Sequence, residues 1–161
     1  MKSLVQYIKE SQLEMNGFVI LKPEFLEWEE PWLDLLKNKG WQIIQKKKCQ
    51  LSNDQCKELY KMHKDKPFYD DLCKYMSSNE CICCSCYKKC DNPIKEMKDI
   101  KDIVREKWGI DDMKNAMHST WSYNNTCTYV SSFIMAEYAQ LVILLSIILL
   151  CVIMIMNIQL M

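Results

Sequence analysis

The chain lacks an excess of charge of either sign, since its 21 lysines and arginines balance its 21 aspartates and glutamates. A balanced chain offers no bulk attraction to the phosphate backbone of nucleic acid, so no nucleic-acid partner is implied. Histidine is scarce, with two in the whole sequence, and no lysine or arginine follows Lys114. The first ten residues contain no continuous apolar run, which is not the pattern of a signal peptide.

Charged residues are also absent from a long stretch near the carboxyl end, residues 141–156. About 20 apolar residues are enough to cross a hydrocarbon core of roughly 30 Å. A buried core helix of that length would normally show a polar face, and this stretch shows none. The sequence therefore predicts a single-pass membrane protein with a carboxyl-terminal tail anchor at 139–161. A linker at 121–138 would join it to a folded domain at 1–120 that faces the cytosol.

Cysteine, by contrast, is abundant, with ten in the chain. In a reducing compartment they are expected to be free thiols that pack as small apolar residues, with bound zinc below one ion per chain. Metal binding stays open for one cluster: Cys81, Cys83, Cys84, Cys86 and Cys90. Cys83 and Cys86 form one C-x₂-C pair of the kind typical of zinc sites, but the cluster as a whole reads C-x-C-C-x-C. Alternate residues of a strand also point to opposite faces, which favours packing over metal binding.

Four short segments have the pattern of strands. Residues 18–21 form a continuous apolar run before Lys22-Pro23, as expected for a strand that is buried on both faces. Residues 41–45 and 81–87 are predicted as further strands, and residues 115–118 as the last one.

Helices are predicted between these strands. Pro31 suits a first helical turn, and Ser52 with Gln55 has the spacing of a capping box. Pro67 opens another helix, and apolar residues recur at helical spacing from Ile94 to Val104. This order of elements predicts a ferredoxin-like α+β sandwich, an antiparallel sheet with helices over one face.

One segment carries residue types suited to chemistry. His118 is the residue best able to act as a nucleophile or proton carrier near neutral pH, because its unperturbed pKa is roughly 6.5. Arg105 could bind phosphate oxygens through its planar guanidinium group, and Asn115 could add a neutral hydrogen bond. The plain alternative is a histidine packed at the edge of the domain beside a solvated basic helix.

Several motifs, taken in order, resemble the nucleoside diphosphate kinase family over roughly residues 17–120. They are the strand end 19–23 (VILKP), the strand entry 38–41 (NKGW), the segment 60–69 (YKMHKDKPFY), the turn 91–93 (DNP) and the segment 105–118. The last of these keeps the family's spacing between Arg105 and His118.

The resemblance implies an activity and a set of site residues. His118 would take the γ-phosphoryl group of one nucleoside triphosphate and pass it to a nucleoside diphosphate, with Mg²⁺ as the cofactor. The phosphates and sugar would be contacted by Lys22, Tyr60, Arg105 and Asn115. Phe68 and Leu72 would hold the base. Members of the family form dimers and hexamers, so a homo-oligomer is possible.

This chain also departs from the family. The part between Met76 and Asp91 is shorter, so the helix that carries a phosphate-binding arginine is missing. Lys88 or Lys89 is the candidate to replace it in part, although lysine lacks the bidentate fork of arginine. The acidic residue that orients the family's histidine has no clear counterpart. The alternative function is therefore a catalytically inactive, membrane-tethered relative that binds a nucleotide or a protein.

Overall fold

A computed structural model of the chain describes residues 16–120 and 144–148. The chain divides into two compact units, Met1–Tyr129 and Val130–Met161. The predicted linker 121–138 lies outside the described residues.

The first unit contains a four-stranded sheet. Its strands are β1 (Gly17–Leu21), β2 (Gln42–Gln50), β3 (Glu80–Tyr87) and β4 (Met117–Ser119). Their order in the sheet is β2-β3-β1-β4, and every neighbouring pair is antiparallel. This is the strand order of a ferredoxin-like α+β fold, as the sequence predicts.

The connections are helical. Described in chain order, they are a 3₁₀ helix at Pro23–Trp28, α1 (Glu29–Asn38), α2 (Asn53–Leu59), a 3₁₀ turn at Lys61–His63, α3 (Tyr69–Met76) and α4 (Pro93–Trp108). The predicted capping box at the start of α2 is confirmed. The Gln55 amide donates to the Ser52 hydroxyl at 3.1 Å, and the Ser52 amide donates to Gln55 Oε1 at 2.8 Å.

One face of the sheet packs against α1 and α4. Val19 and Leu21 of β1 lie there in a core cluster with Trp32 of α1 and Val104 of α4. Trp32 is fully buried, and its indole N–H donates to the sulfur of Met117 at 3.4 Å. This contact connects α1 to the strand that carries His118.

The opposite face is covered as well, so the prediction of helices over one face is incomplete. Ile20 pairs directly with His118 across β1 and β4 and shares this second face with it. The ring of Tyr60, which follows α2, lies edge-on to the His118 ring with centroids 5.0 Å apart. All five residues of β1 are buried, and a strand buried on both faces needs cover on both.

Strand β2 is longer than predicted. It continues to Gln50 and includes Lys46, Lys47 and Lys48, which lie beyond the predicted end of the strand at residue 45. Because β2 is an edge strand, exposed charges suit it and discourage pairing with another chain. Two of these lysines form ion pairs, Lys46 with Glu29 and Lys48 with Glu80, the latter at 3.0 Å.

Within residues 16–120 and 144–148, no helix is long and apolar enough to cross a membrane. Most of the predicted span at 139–161 lies outside the described residues. Residues 144–148 are helical, and four apolar side chains there are half exposed: Leu144, Leu145, Ile147 and Ile148.

Candidate active site

A tight turn at Asn115–Met117 leads into β4 and positions the site residues around it. The Met117 amide donates to the Asn115 carbonyl at 2.8 Å, and the intervening Ala116 has a φ of 65°. A non-glycine residue in this region is strained, and such strain persists only where surrounding contacts enforce it. Here Ala116 is fully buried, and its carbonyl accepts a hydrogen bond of 2.9 Å from the Lys22 amide. The turn therefore joins the residue after β1 to the residues around His118.

A glycine allows this loop to approach α4. Gly109 ends α4, and a Cβ atom there would lie 2.4 Å from the Arg105 carbonyl oxygen and 3.4 Å from the Asn115 Cα. No side chain fits that gap. Asp111 then holds the loop by accepting amide hydrogen bonds from Met113 at 2.8 Å and Lys114 at 2.6 Å. These bonds lower the pKa of the Asp111 carboxyl.

His118 is neutral at physiological pH. Its ring is half-buried, and burial lowers its pKa to about 3, helped by the positive charges of Lys22, Lys101 and Arg105. A neutral imidazole keeps a lone pair on one ring nitrogen and can act as a nucleophile. Within residues 16–120, no carboxylate is among the groups that shift the pKa of this ring.

Lys22 is a buried cation at the end of β1. Only 2% of its surface is exposed, and its ammonium group donates to the Met113 carbonyl at 2.8 Å. It also lies over the ring of Tyr75, 5.7 Å from the centroid. Burial, followed by repulsion from Arg105, lowers its pKa to about 7. A bound anion would restore its charge, because an opposite charge favours the protonated form.

Arg105 and Lys101 add positive charge from α4. The Arg105 Nε donates to the Met117 carbonyl at 3.2 Å, and burial lowers its pKa. Lys101 lies one helical turn earlier, where burial and then Arg105 lower its pKa. Lys101 is not among the site residues predicted from the sequence. Its i, i−4 spacing from Arg105 was the signal that could have revealed it.

Two polar side chains of this site have unsatisfied atoms. Asn115 donates through Nδ2 to the Asp112 carbonyl at 2.5 Å, but its buried Oδ1 has no partner among the described residues. The hydroxyl of Tyr60 is likewise buried without a partner within residues 16–120, and burial raises its pKa. Buried polar atoms of this kind are uncommon, and a bound ligand is one way to satisfy them.

A cavity of about 410 Å³ opens beside these residues, lined by Phe68, Leu72, Asp112 and Met113. Phe68 precedes α3 and is 44% exposed, so one face of its ring is available to a flat ligand. The ring of His63 connects the cavity to the site: its centroid lies 5.6 Å from that of Phe68 and 6.4 Å from that of Tyr60. Both predicted base-binding residues, Phe68 and Leu72, thus lie at one cavity.

The structure does not bring Lys88 and Lys89, the predicted phosphate contacts, to this site. They follow β3, whose end pairs with Gly17 at the start of β1, whereas Lys22 follows the other end of β1. At about 3.4 Å per residue the two ends are separated by about 15 Å. Lys88 instead forms an ion pair with Glu96 and donates to the Lys39 carbonyl at 2.8 Å. Lys89 beside it is exposed.

The structure thus defines an antiparallel α+β domain whose neutral histidine lies among three cations next to a partly apolar cavity. Such a site suits an anionic ligand with a flat apolar part. A solved structure with a similar fold is that of the nucleoside diphosphate kinase of Aquifex aeolicus. Its TM-score is 0.62 at 24% identity, and the match covers 73% of this chain and 92% of that one. At this identity the likeness establishes the fold alone.

Sequence comparisons identify the family. The family model described as nucleoside diphosphate kinase matches residues 15–138, so the chain belongs to the nucleoside diphosphate kinase family. A nucleoside diphosphate kinase of Persephonella marina (strain DSM 14350 / EX-H1) is 28% identical over 95 residues, which are 53% of this chain and 66% of that protein. The human nucleoside diphosphate kinase homolog 5 is 28% identical over 112 residues, 63% of this chain and 53% of that relative. The chain thus spans between half and two thirds of these two relatives.

Proposed function

We propose that this domain transfers the γ-phosphoryl group of a nucleoside triphosphate to a nucleoside diphosphate through a phosphohistidine at His118. The observation that carries the proposal is the position of His118: it lies opposite Ile20 in β1, next to the Met117 carbonyl that Arg105 contacts, and the charges of Lys22, Lys101 and Arg105 act on its ring. A nucleophile without charge beside several cations is the arrangement that phosphoryl transfer requires.

The transfer proceeds in two balanced halves. The lone pair of a His118 ring nitrogen attacks the γ-phosphorus while the bond from that phosphorus to the bridging oxygen breaks. The electron pair leaves on the nucleoside diphosphate. A second diphosphate then attacks the phosphohistidine in the reverse reaction, and the imidazole returns to its neutral form. Because the pKa of His118 is about 3, its ring is neutral near pH 7 and protonation does not compete with its attack on phosphorus.

The unsatisfied atoms of the site match the other parts of a nucleotide. Asn115 Oδ1 is an acceptor and needs a donor, which a sugar hydroxyl supplies and a phosphate oxygen does not. The Tyr60 hydroxyl can donate to a phosphate oxygen or accept from the sugar. Phe68, with its exposed ring, suits stacking against a base, and Leu72 lines the same cavity.

Mg²⁺ fits the site as an ion held mainly by the phosphates of the substrate. It binds oxygen ligands and commonly takes one or two carboxylates together with phosphate oxygens and water. Asp112 is the carboxylate that lines the described cavity, and its side chain is exposed there. When bound, Mg²⁺ would neutralise phosphate charge that three lysine and arginine side chains only partly offset.

The test uses the two histidines as a matched pair. The purified protein is incubated with γ-labelled ATP and Mg²⁺, and the protein-bound label is counted before and after acid treatment. We expect acid-labile label on the wild type and loss of label in His118→Phe, whereas His63→Phe should still take acid-labile label because it keeps the nucleophile. Added nucleoside diphosphate should discharge the label. Both variants replace an imidazole with a ring of similar size, so folding is checked by circular dichroism.

A second candidate function is nucleotide binding without catalysis. It is favoured by one observation: within residues 16–120, no carboxylate is among the groups that shift the pKa of the His118 ring. The test above separates the two functions. A wild-type protein that binds nucleotide by calorimetry but takes no label would establish the inactive relative.

We also propose that residues 139–161 cross a membrane with the domain on the cytosolic side. Support comes from the uncharged run 141–156 and from the half-exposed apolar side chains of the helical segment 144–148. The full chain should remain in membranes after carbonate extraction, and a chain ending at residue 138 should not. Protection of the domain from protease in cells whose plasma membrane is permeabilised while their organelles stay closed, or glycan on Asn124, would contradict this topology.

A homo-oligomer remains an expectation from family membership. Light scattering of the domain across a range of concentrations would determine its mass. A monomer at every concentration would rule it out.

A further inference from the structure

Three cysteine thiols meet on the face of the sheet that carries His118. Cys49 of β2 is the direct partner of Cys81 in β3, so the two side chains share a face. Cys83, two residues further along β3, points to that face as well. The three sulfur atoms all lie within 4.8 Å of one another, and those of Cys81 and Cys83 are 3.8 Å apart.

These distances suit one shared metal ion. A bond of about 2.3 Å from zinc to each thiolate sulfur places two ligand sulfurs about 3.8 Å apart. The pair Cys81 and Cys83 already has this separation, and the triad as a whole needs to contract by less than about 1 Å. Soft thiolate ligands select thiophilic ions such as Cu(I) and Zn(II) over the hard ion Mg²⁺.

We propose that Cys49, Cys81 and Cys83 form a binding site for a single thiophilic metal ion, Cu(I) or Zn(II). Binding forms three metal–sulfur bonds, and the thiol protons are released to solvent. Three thiolates complete a trigonal shell around Cu(I), while Zn(II) would take a water as its fourth ligand. Cys49 is half-buried on the edge strand and gives the ion a path inward, whereas Cys81 and Cys83 are buried.

The triad differs from the cluster that the sequence suggested. Cys84 and Cys86 lie in the hydrophobic core under α1 and α4, on the other face of β3. They therefore cannot share an ion with Cys83. Cys49 was missed because it is 32 residues from Cys81 along the chain and reaches it only through strand pairing. Cys84 and Cys86 now serve as matched controls, since they are buried cysteines of the same strand.

The test loads the reduced, metal-free protein anaerobically in two arms. In one arm Cu(I) is delivered in competition with a bathocuproine chelator, and in the other Zn(II) competes with a chromophoric zinc chelator. Bound metal is counted by elemental analysis, and the protected thiols are identified by alkylation and mass spectrometry. We expect one ion per chain in at least one arm, with Cys49, Cys81 and Cys83 protected and Cys84 and Cys86 unchanged from the metal-free protein. The arm that loads identifies the ion.

Variants give an independent readout. Cys49→Ser, Cys81→Ser and Cys83→Ser should reduce bound metal to background, while Cys84→Ser and Cys86→Ser should retain one ion. Circular dichroism of each variant separates lost ligation from lost folding, and the thiol protection of the wild type needs no variant. Failure of both ions to bind, or equal loss in the control variants, would overturn the proposal. If the reduced chain binds neither ion and mild oxidation forms a Cys49–Cys81 disulfide, the proposal is also overturned.

Discussion

The two faces of the sheet are built from the same strands but hold different chemistry. The face under α1 and α4 is filled by apolar side chains such as Val19, Leu21 and Trp32. The face under Tyr60 carries Ile20 and His118, and the cysteine triad lies on it too. The first face has the composition of an ordinary core. The second has a strained turn at its edge and a buried cation, Lys22, beside it.

The first face contributes most of the stability of the domain, and the second carries the residues of the proposed site. Burying apolar surface stabilises the fold, whereas burying Lys22 and leaving the Tyr60 hydroxyl without a described partner opposes it. Groups that weaken a fold are retained where a ligand uses them. Substitutions on the first face should therefore change stability, and those on the second should change binding.

The largest effect is expected in the core. Trp32→Ala should lower the free energy of unfolding by about 3–5 kcal/mol, because it leaves a cavity under β1 and removes the contact to Met117. Its counterpart on the second face, Tyr60→Phe, removes only a hydroxyl and should change that free energy by less than about 1 kcal/mol. Urea denaturation measures both. Equal losses would contradict the distinction between the faces.

An intermediate effect is expected from His118 on the pH dependence of stability. Its pKa is about 3 when folded and near 6.5 when unfolded, so between these values only the unfolded chain binds the proton. Stability is thus fully present above about pH 6.5 and falls as the pH falls toward 3. Between about pH 7 and about pH 4, wild type should lose roughly 1–3 kcal/mol more than His118→Phe. His63→Phe should still lose stability between these pH values, because His118 remains to titrate. An equal loss in wild type and His118→Phe would contradict the prediction.

A smaller effect is expected when a cation is removed beside the histidine. Lys101→Gln should weaken nucleotide binding about tenfold, or about 1.4 kcal/mol, because it removes positive charge near the phosphates. The matched control is Lys98→Gln on the same helix, where the exposed lysine pairs with Asp102 at 2.9 Å. Calorimetric titration with a nucleoside diphosphate compares the two. The role given to Lys101 is wrong if both variants lose affinity equally.

The smallest effect should come from the far end of the sheet. Lys88→Gln removes an ion pair with Glu96 and should lower stability by no more than about 1 kcal/mol. Its nucleotide affinity should stay within about twofold of wild type, which is about 0.4 kcal/mol. A loss of nucleotide affinity as large as that of Lys101→Gln would instead support Lys88 as a phosphate contact.

Much of the fold could be predicted from local pattern. The apolar run of β1 predicted a strand buried on both faces, and Ser52 with Gln55 predicted the start of α2. These signals are visible in sequence because they depend on neighbours a few residues apart. Family membership could also be predicted, since the order of the motifs survives at low identity.

Contacts between distant segments could not be predicted in this way. Antiparallel pairing of β1 with β3 places Lys88 at the opposite end of β1 from Lys22. The number of residues between the two lysines in the sequence does not reveal this. Helical spacing on α4 aligns Lys101 with Arg105, and strand register brings Cys49 to Cys81. Local sequence patterns were enough to predict the secondary-structure elements and the types of residue at the site. Strand register and helix packing determine which of these residues come into contact. Both depend on the whole sheet and not on any one segment, so they cannot be deduced from local sequence.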